Sequence, residues 1–126
     1  MRLLTPQAHT DDAASGAVLQ LPNDAELQDL ALDGVTRIEL QFPKFSDGRA
    51  FSQAVTLRRR LKYTGDIRAT GDVLVDQLVQ MQRSGFDSAA LRADQDLSVA
   101  ERQLTRFAAF YQGDERESAP HFRRAA

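Results

Sequence analysis

Residues 35–42, VTRIELQF, decide how this chain folds. Ile38, Leu40 and Phe42 alternate with Arg37, Glu39 and Gln41, the period of two that gives a β-strand one apolar and one polar face. Asp33-Gly34 marks a turn before the run and Pro43 stops it. Downstream, Ala50, Ala54, Leu57 and Leu61 recur at helical spacing between Arg49 and Lys62, which turns Arg58, Arg59, Arg60 and Lys62 largely toward water. Thr64-Gly65 breaks that helix, and 66–72 alternates again, with Ile67 and Ala69 opposite Arg68 and Thr70. Leu74, Leu78 and Met81 mark a further helix face that Gly85 can terminate, and 86–91 reads as another strand. Ser98 and Glu101 have capping-box spacing and open a helix whose core face is Ala100, Leu104, Phe107, Ala108 and Tyr111. Phe107, Phe110 and Tyr111 read as core rather than as a cofactor box.

Working upstream, the apolar segment 17–21 ends at Pro22. Asn23 stands three residues before Glu26 and predicts a short helix with Leu27, Leu30 and Ala31 on its apolar face. The order is βαβαβαβα, which implies parallel pairing through right-handed crossovers: an α/β domain of four βα units over 17–112. Residues 1–16 and 113–126 read as flexible amino- and carboxy-terminal tails. Gln20, Glu39, Gln41, Arg68, Thr70 and Ser88 all fall on the sheet side opposite the apolar residues. With helices on the apolar face only, the array resembles half of a (βα)8 barrel, its polar side turned to a lumen, a ligand or a second subunit. The alternative is an open parallel three-layer sheet, its polar face solvated or neutralised by an ion pair such as Glu39 with Arg68.

The 126 residues contain no cysteine, which excludes thiol nucleophiles, thiolate-bound metal centres and dithiol redox chemistry. A net charge of −2, no tryptophan and two tyrosines argue against nucleic acid as a partner. No stretch approaches the roughly 18 apolar residues of a membrane span and none resembles a secretory signal, so a cytoplasmic protein that meets no membrane is expected. His9 and His121 fall in the tails, which leaves neither a histidine triad nor a metal site, and no loop carries a dinucleotide or Walker fingerprint, so no cofactor is expected.

In parallel α/β folds ligands collect at the carboxyl ends of the strands. Here those loops supply Lys44, Asp47, Gly48 and Arg49 in FPKFSDGR, Arg68, Gly71 and Asp72 in RATGD, and Arg92, Asp94 and Asp96 in LRADQD. Cations near helix starts could hold a sulfate, phosphate or carboxylate. Residue by residue, the plainer reading is that Asp47 and Asp72 cap helices and the cations pair with them. Arg58 to Arg60 reads as a solvated helix face, with a partner-docking patch as its alternative.

The runs FPKFSDGRAFSQA, LRRRLKYTGDIRATGDVLVDQL and RSGFDSAALRADQD closely resemble a bacterial family catalogued as domain of unknown function 934, over about residues 17–112. Its members are typically encoded beside sulfite reductase and described as oxidoreductases or accessory proteins of sulfite reduction. Lys44, Asp47, Gly48, Arg49, Arg68, Gly71, Asp72 and Asp87 match the family pattern, and the family often has cysteine where this chain has Ser84. The resemblance implies an accessory protein of assimilatory sulfite reduction that meets an anion or the reductase through its strand-end loops. One alternative is a small oxidoreductase or other enzyme using Asp47 or Asp72 as acid or base, with Arg49 and Arg68 holding an oxyanion. A second is a structural dimer module. A homodimer joined through the polar sheet faces or their rims is expected, because such an array leaves one face and two edges uncovered.

Overall fold

A computed structural model of the chain describes residues 1–12, 16–28, 30–44 and 48–108. The alternating run 35–42 is a strand, β3 (Val35–Phe42), the longest of a five-stranded, all-parallel sheet. The others are β1 (Arg2–Leu4), β2 (Ala17–Leu21), β4 (Asp66–Gly71) and β5 (Ser88–Ala90), in the order β1-β5-β4-β3-β2. The helices are α1 (Pro6–Asp11), α2 (Arg49–Arg59), α3 (Leu78–Ser84), led in by a 3-10 turn at Val75–Gln77, and α4 (Leu97–Ala108). From β2 to β5 each strand adds beside the one before it. Two successive helical crossovers stepping the same way, with the usual right hand, put α2 and α3 on one face of the sheet. This is the winding expected of the α/β parallel-sheet fold.

The core lies under those helices. Ile38, Leu40, Phe42, Ile67, Ala69 and Ala89 point from the sheet into a layer made by Ala50, Ala54 and Leu57 of α2, Leu78 and Met81 of α3 and Ala100 of α4. Each fully buried Leu, Ile or Phe contributes roughly 1.5–3 kcal/mol relative to exposure. Phe42, Phe51 and Phe86 meet as a ring cluster with centroids 5.1, 5.8 and 6.3 Å apart. Gly85 ends α3 in a left-handed conformation at φ 113°, as its place after the apolar run predicts.

Five readings of the sequence need correction. First, residues 2–11 are not a tail: β1 pairs with β5, and α1 follows at once. Arg2 N–H donates to Asp87 O at 2.8 Å and Leu91 N–H to Leu4 O at 2.9 Å, which satisfies what would have been the open edge of β5. Second, the described residues of 23–31 form no helix. Ala25 and Leu27, then Leu30 and Leu32, pack against the core from a turn-containing loop while Glu26, Gln28 and Ala31 face water. Gln53 of α2 fastens this loop by donating to Pro22 O at 3.0 Å and Ala25 O at 3.4 Å. Third, α2 ends at Arg59 rather than Lys62, whose positive φ of 57° turns the chain away. Fourth, α4 starts under Asp96, not Ser98: the Asp96 carboxylate accepts from the Ser98 and Val99 amides at 2.8 and 3.3 Å. The Ser98 hydroxyl, which donates to the same oxygen at 2.7 Å, and then these amides hold its carboxyl below the ordinary range.

The fifth concerns Arg58, which is turned inward from α2. It donates to Gly85 O at 3.0 Å, Tyr63 O at 2.8 Å and Gly65 O at 2.9 Å, pairs with Asp87, and lies 5.7 Å from the Tyr63 ring centroid. Burial pushes both the Arg58 guanidinium down and the Tyr63 phenol up from their usual values. The expected carboxy-terminal tail, 113–126, and the helix positions Phe110 and Tyr111 lie outside the described residues.

Candidate functional site

The period of two turns Arg37, Glu39 and Gln41 away from the helical layer, and strand pairing converts that local alternation into rows across the sheet. Gln20, Glu39, Arg68, Ser88 and Arg2 stand in register on β2, β3, β4, β5 and β1, a single polar row spanning the whole sheet. Arg37 and Asp66 form the row before it. Helix α1 covers this face, starting under Thr5, whose hydroxyl accepts from Ala8 N–H at 3.1 Å, with Pro6 in its first turn. The helix itself has no buried residue; its inward contacts come from His9 and from Asp12 just beyond its end.

Arg68 is the largest fully buried side chain. Its Nε donates to Ser88 Oγ at 2.9 Å, Nη2 to Asp12 Oδ2 at 2.7 Å and to Asp66 Oδ2 at 3.4 Å, while Nη1 lies 3.1 Å from His9 Nδ1. Arginine has no acceptor, so Nδ1 must be the unprotonated nitrogen of His9, which puts its proton on Nε2, 4.0 Å from Glu39 Oε1. Ser88 Oγ–H in turn donates to Asp66 Oδ1 at 3.0 Å. Glu39, 4% exposed, is held by Arg37 Nε at 2.9 Å and Gln20 at 3.1 Å. The Glu39–Arg68 ion pair suggested by their alternation is not made: the two are register neighbours, each bonded to other partners. Three arginines (Arg2, Arg37 and Arg68) face three carboxylates (Asp12, Glu39 and Asp66), so the cluster is neutral without a ligand, the condition for burying charge at all.

Asp12 is the hub. Its carboxylate accepts from Arg68 Nη2 at 2.7 Å, Arg37 Nη1 at 3.2 Å, and Arg2 Nη1 and Nη2 at 3.3 and 3.2 Å. The bonds to Arg68 and then Arg2 hold its pKa down at about 2. Nothing in the alternation of the strands identified Asp12 or His9. The signal that could have done so is Thr5-Pro6, a cap followed by proline in the first turn, which starts a helix inside the supposed tail.

The residues singled out from the sequence divide between two places. Lys44, Gly48, Arg49, Gly71, Asp72 and Arg92 lie at the carboxyl edge of three neighbouring strands, β3, β4 and β5. Arg68 does not; it is the third residue of β4 and belongs to the buried network. Asp47 lies outside the described residues. At the carboxyl edge, Asp72 N–H donates to Phe42 O at 2.8 Å and Arg92 N–H to Val73 O at 3.0 Å, tying the three loops together. Arg92 Nη1 meets Asp72 at 2.6 Å and its Nε meets Asp94 at 2.6 Å. That pairing raises the Arg92 pKa and holds Asp94 at about 2. Asp72 thus pairs with a cation, as its plainer reading expects. Lys44, Gly48 and Arg49 are exposed, and Gly48 caps α2 without a side-chain bond. Gly71 is required by geometry: its φ is 94° and a Cβ there would stand 2.6 Å from Phe42 O. A groove of about 500 Å³ beside β1, lined by Met1, Leu3 and Leu104 among others, shares Arg2 with the buried network and no residue with the carboxyl edge.

Among the described residues no helix is long and apolar enough to cross a membrane. The family model for a bacterial protein of unknown function, DUF934, matches residues 18–122. No curated protein and no solved structure matches the chain.

Proposed function

We propose that this chain, which belongs to the bacterial family of unknown function DUF934, is a cytoplasmic accessory protein of assimilatory sulfite reduction that binds an anion or the reductase through the loops at the carboxyl edge of its sheet. The sulfite context comes from the resemblance of its sequence blocks. The observation that carries the site is the convergence of Lys44, Gly48, Arg49, Gly71, Asp72 and Arg92 on one edge, where the loops are bonded to each other and Lys44 and Arg49 stay exposed. Arg92 acts there as a brace rather than as a ligand group, because Asp72 and Asp94 already occupy its guanidinium. Exposed cations on a braced platform suit docking of an anionic surface or a small oxyanion.

The homodimer forms along the sheet edges rather than through the polar face, which α1 covers. Val18 on edge strand β2 is a large apolar side chain left 37% exposed, the surface a second copy would cover.

Two measurements test this reading. Sulfate or phosphate at constant ionic strength should raise the melting temperature of the protein, and Lys44→Gln with Arg49→Gln should remove that rise. Co-purification from native cells should bring down sulfite reductase with a colourless partner. An unchanged anion response in the double variant removes the site, and stoichiometric bound flavin would favour the enzyme instead.

A further inference from the structure

The cluster around Asp12 has the donor arrangement of an oxyanion site, and its present occupant is a side chain of the same polypeptide. Three guanidinium groups, from β1, β3 and β4, aim at one carboxylate. Three of the four donors crowd on Oδ2, from Arg2 at 3.3 Å, Arg37 at 3.2 Å and Arg68 at 2.7 Å, and one reaches Oδ1 at 3.2 Å. A carboxylate oxygen has two lone pairs, so Oδ2 serves three donors poorly, whereas an anion with three or four oxygens would give each guanidinium its own acceptor. Two of the three donors are fixed independently of Asp12: Arg68 by Ser88 and Asp66, and Arg37 by Glu39. The Asp12 side chain is 21% exposed and that of Arg2 60%, so solvent reaches both Asp12 and Arg2. Asp12 stands immediately after a six-residue helix with no buried residue to anchor it.

We infer that Arg2, Arg37 and Arg68 form an oxyanion-binding site for a free inorganic anion of the sulfate or phosphate class, held closed by the carboxylate of Asp12. This site is independent of the strand-end loops, and its ligand would compete with Asp12 for the same donors. With Asp12 in place the cluster is balanced and an external anion has to displace a tethered one, which has the advantage of effective concentration. With Asp12 absent, three arginines face only Glu39 and Asp66, and the uncompensated positive charge next to a fully buried guanidinium favours uptake of an anion. The other titratable group facing the site is His9, whose Nδ1 already accepts from Arg68.

The test uses the full chain carrying Lys44→Gln and Arg49→Gln, so that the strand-end loops contribute nothing, with and without Asp12→Ala. Sulfate is titrated to millimolar concentration against chloride at constant ionic strength. The Asp12→Ala chain should show a saturable rise in melting temperature of about 4 °C or more, the chain with Asp12 should show none over that range, and adding Arg37→Gln should abolish the response. Should the Asp12→Ala chain be unfolded in chloride, sulfate should restore its folded circular dichroism. Leu57→Ala, a core variant remote from the cluster, controls for the general salting effect of sulfate, which does not saturate. No response in Asp12→Ala, a response equal to that of Leu57→Ala, an equal response with Asp12 present, or one that survives Arg37→Gln overturns the inference.

Discussion

Arg58→Ala should be the most damaging change on a surface of the protein that reads as ordinary from its sequence. Arg58 sits in a run of three arginines on an amphipathic helix, where a truncation normally shifts stability by no more than about 0.5 kcal/mol. In the fold its guanidinium serves three backbone carbonyls and the Asp87 carboxylate, and its side chain is only 11% exposed. The three carbonyls belong to Tyr63, Gly65 and Gly85, so one side chain joins the end of α2, the approach to β4 and the end of α3. Asp87 also accepts from Ile67 N–H at 3.3 Å and so depends on the same arrangement. A backbone acceptor stranded away from water costs about 1–3 kcal/mol, and breaking a buried ion pair costs about 3–5 kcal/mol. Part of each loss is recovered because water can reach the vacated space from the exposed side of α2. The net expectation is about 3–5 kcal/mol for Arg58→Ala, a large share of the roughly 5–15 kcal/mol that holds a domain together. Arg58→Lys should recover only a minority of it, since an ammonium point charge cannot span four acceptors held by a fork. Urea unfolding followed by circular dichroism reads this directly: the midpoint should fall while the slope stays constant, and Arg59→Ala in parallel should stay near the parent. Equal midpoints for Arg58→Ala and Arg59→Ala would refute the clamp.

Acid should unfold the protein partly through Asp12, whose folded pKa of about 2 lies below the ordinary aspartate value of 3.8. The stability this carboxylate contributes is therefore complete above about pH 4 and lost as pH falls toward 2. Asp12→Asn should be less stable at neutral pH and lose less over that window, and an unaltered pH slope between the two chains counts against the assignment. Gly71→Ala should cost at least about 2 kcal/mol, because a Cβ would meet the Phe42 carbonyl at 2.6 Å with φ at 94°, whereas Gly48→Ala, with its nearest neighbour at 4.0 Å, should stay within about 1 kcal/mol by the same denaturation assay. Arg68→Leu should destabilise the chain by about 3–5 kcal/mol, because Asp12 loses its shortest partner, Asp66 its arginine and buried Ser88 its donor, against less than about 1 kcal/mol for exposed Arg59→Leu; similar losses would mean that the network contributes little. Light scattering at micromolar concentration should report a dimer that Val18→Lys dissociates, and a monomeric parent chain removes the edge contact.

Local alternation placed β3 and β4 and divided the sheet into an apolar and a polar face, because the two-residue period of a strand is fixed by the backbone and needs no partner, and short segments bounded by turn residues placed β2 and β5. The same kind of local information located α2, α3 and α4 and the glycine that ends α3. It failed where a segment's conformation depends on what it packs against. The stretch 23–31 carries leucines spaced as on a helix, but its conformation follows its neighbours: Gln53 of α2 donates to Pro22 O and Ala25 O, and Ala25, Leu27 and Leu30 pack against the core. β1 is three residues long and has no periodicity to detect; it exists because β5 presents an unpaired edge. Of the candidate residues, the loop positions at the carboxyl edge were legible, since that placement follows from parallel topology alone. Arg68 was legible as polar-facing but not as buried. Burial came from α1 folding across the polar face, which brings Asp12 and His9 to Arg68 from more than 50 positions away in the chain, at separations of 56 and 59. A charge can be read from a sequence, but the removal of water around it and the partner that makes this tolerable are properties of the assembled layers.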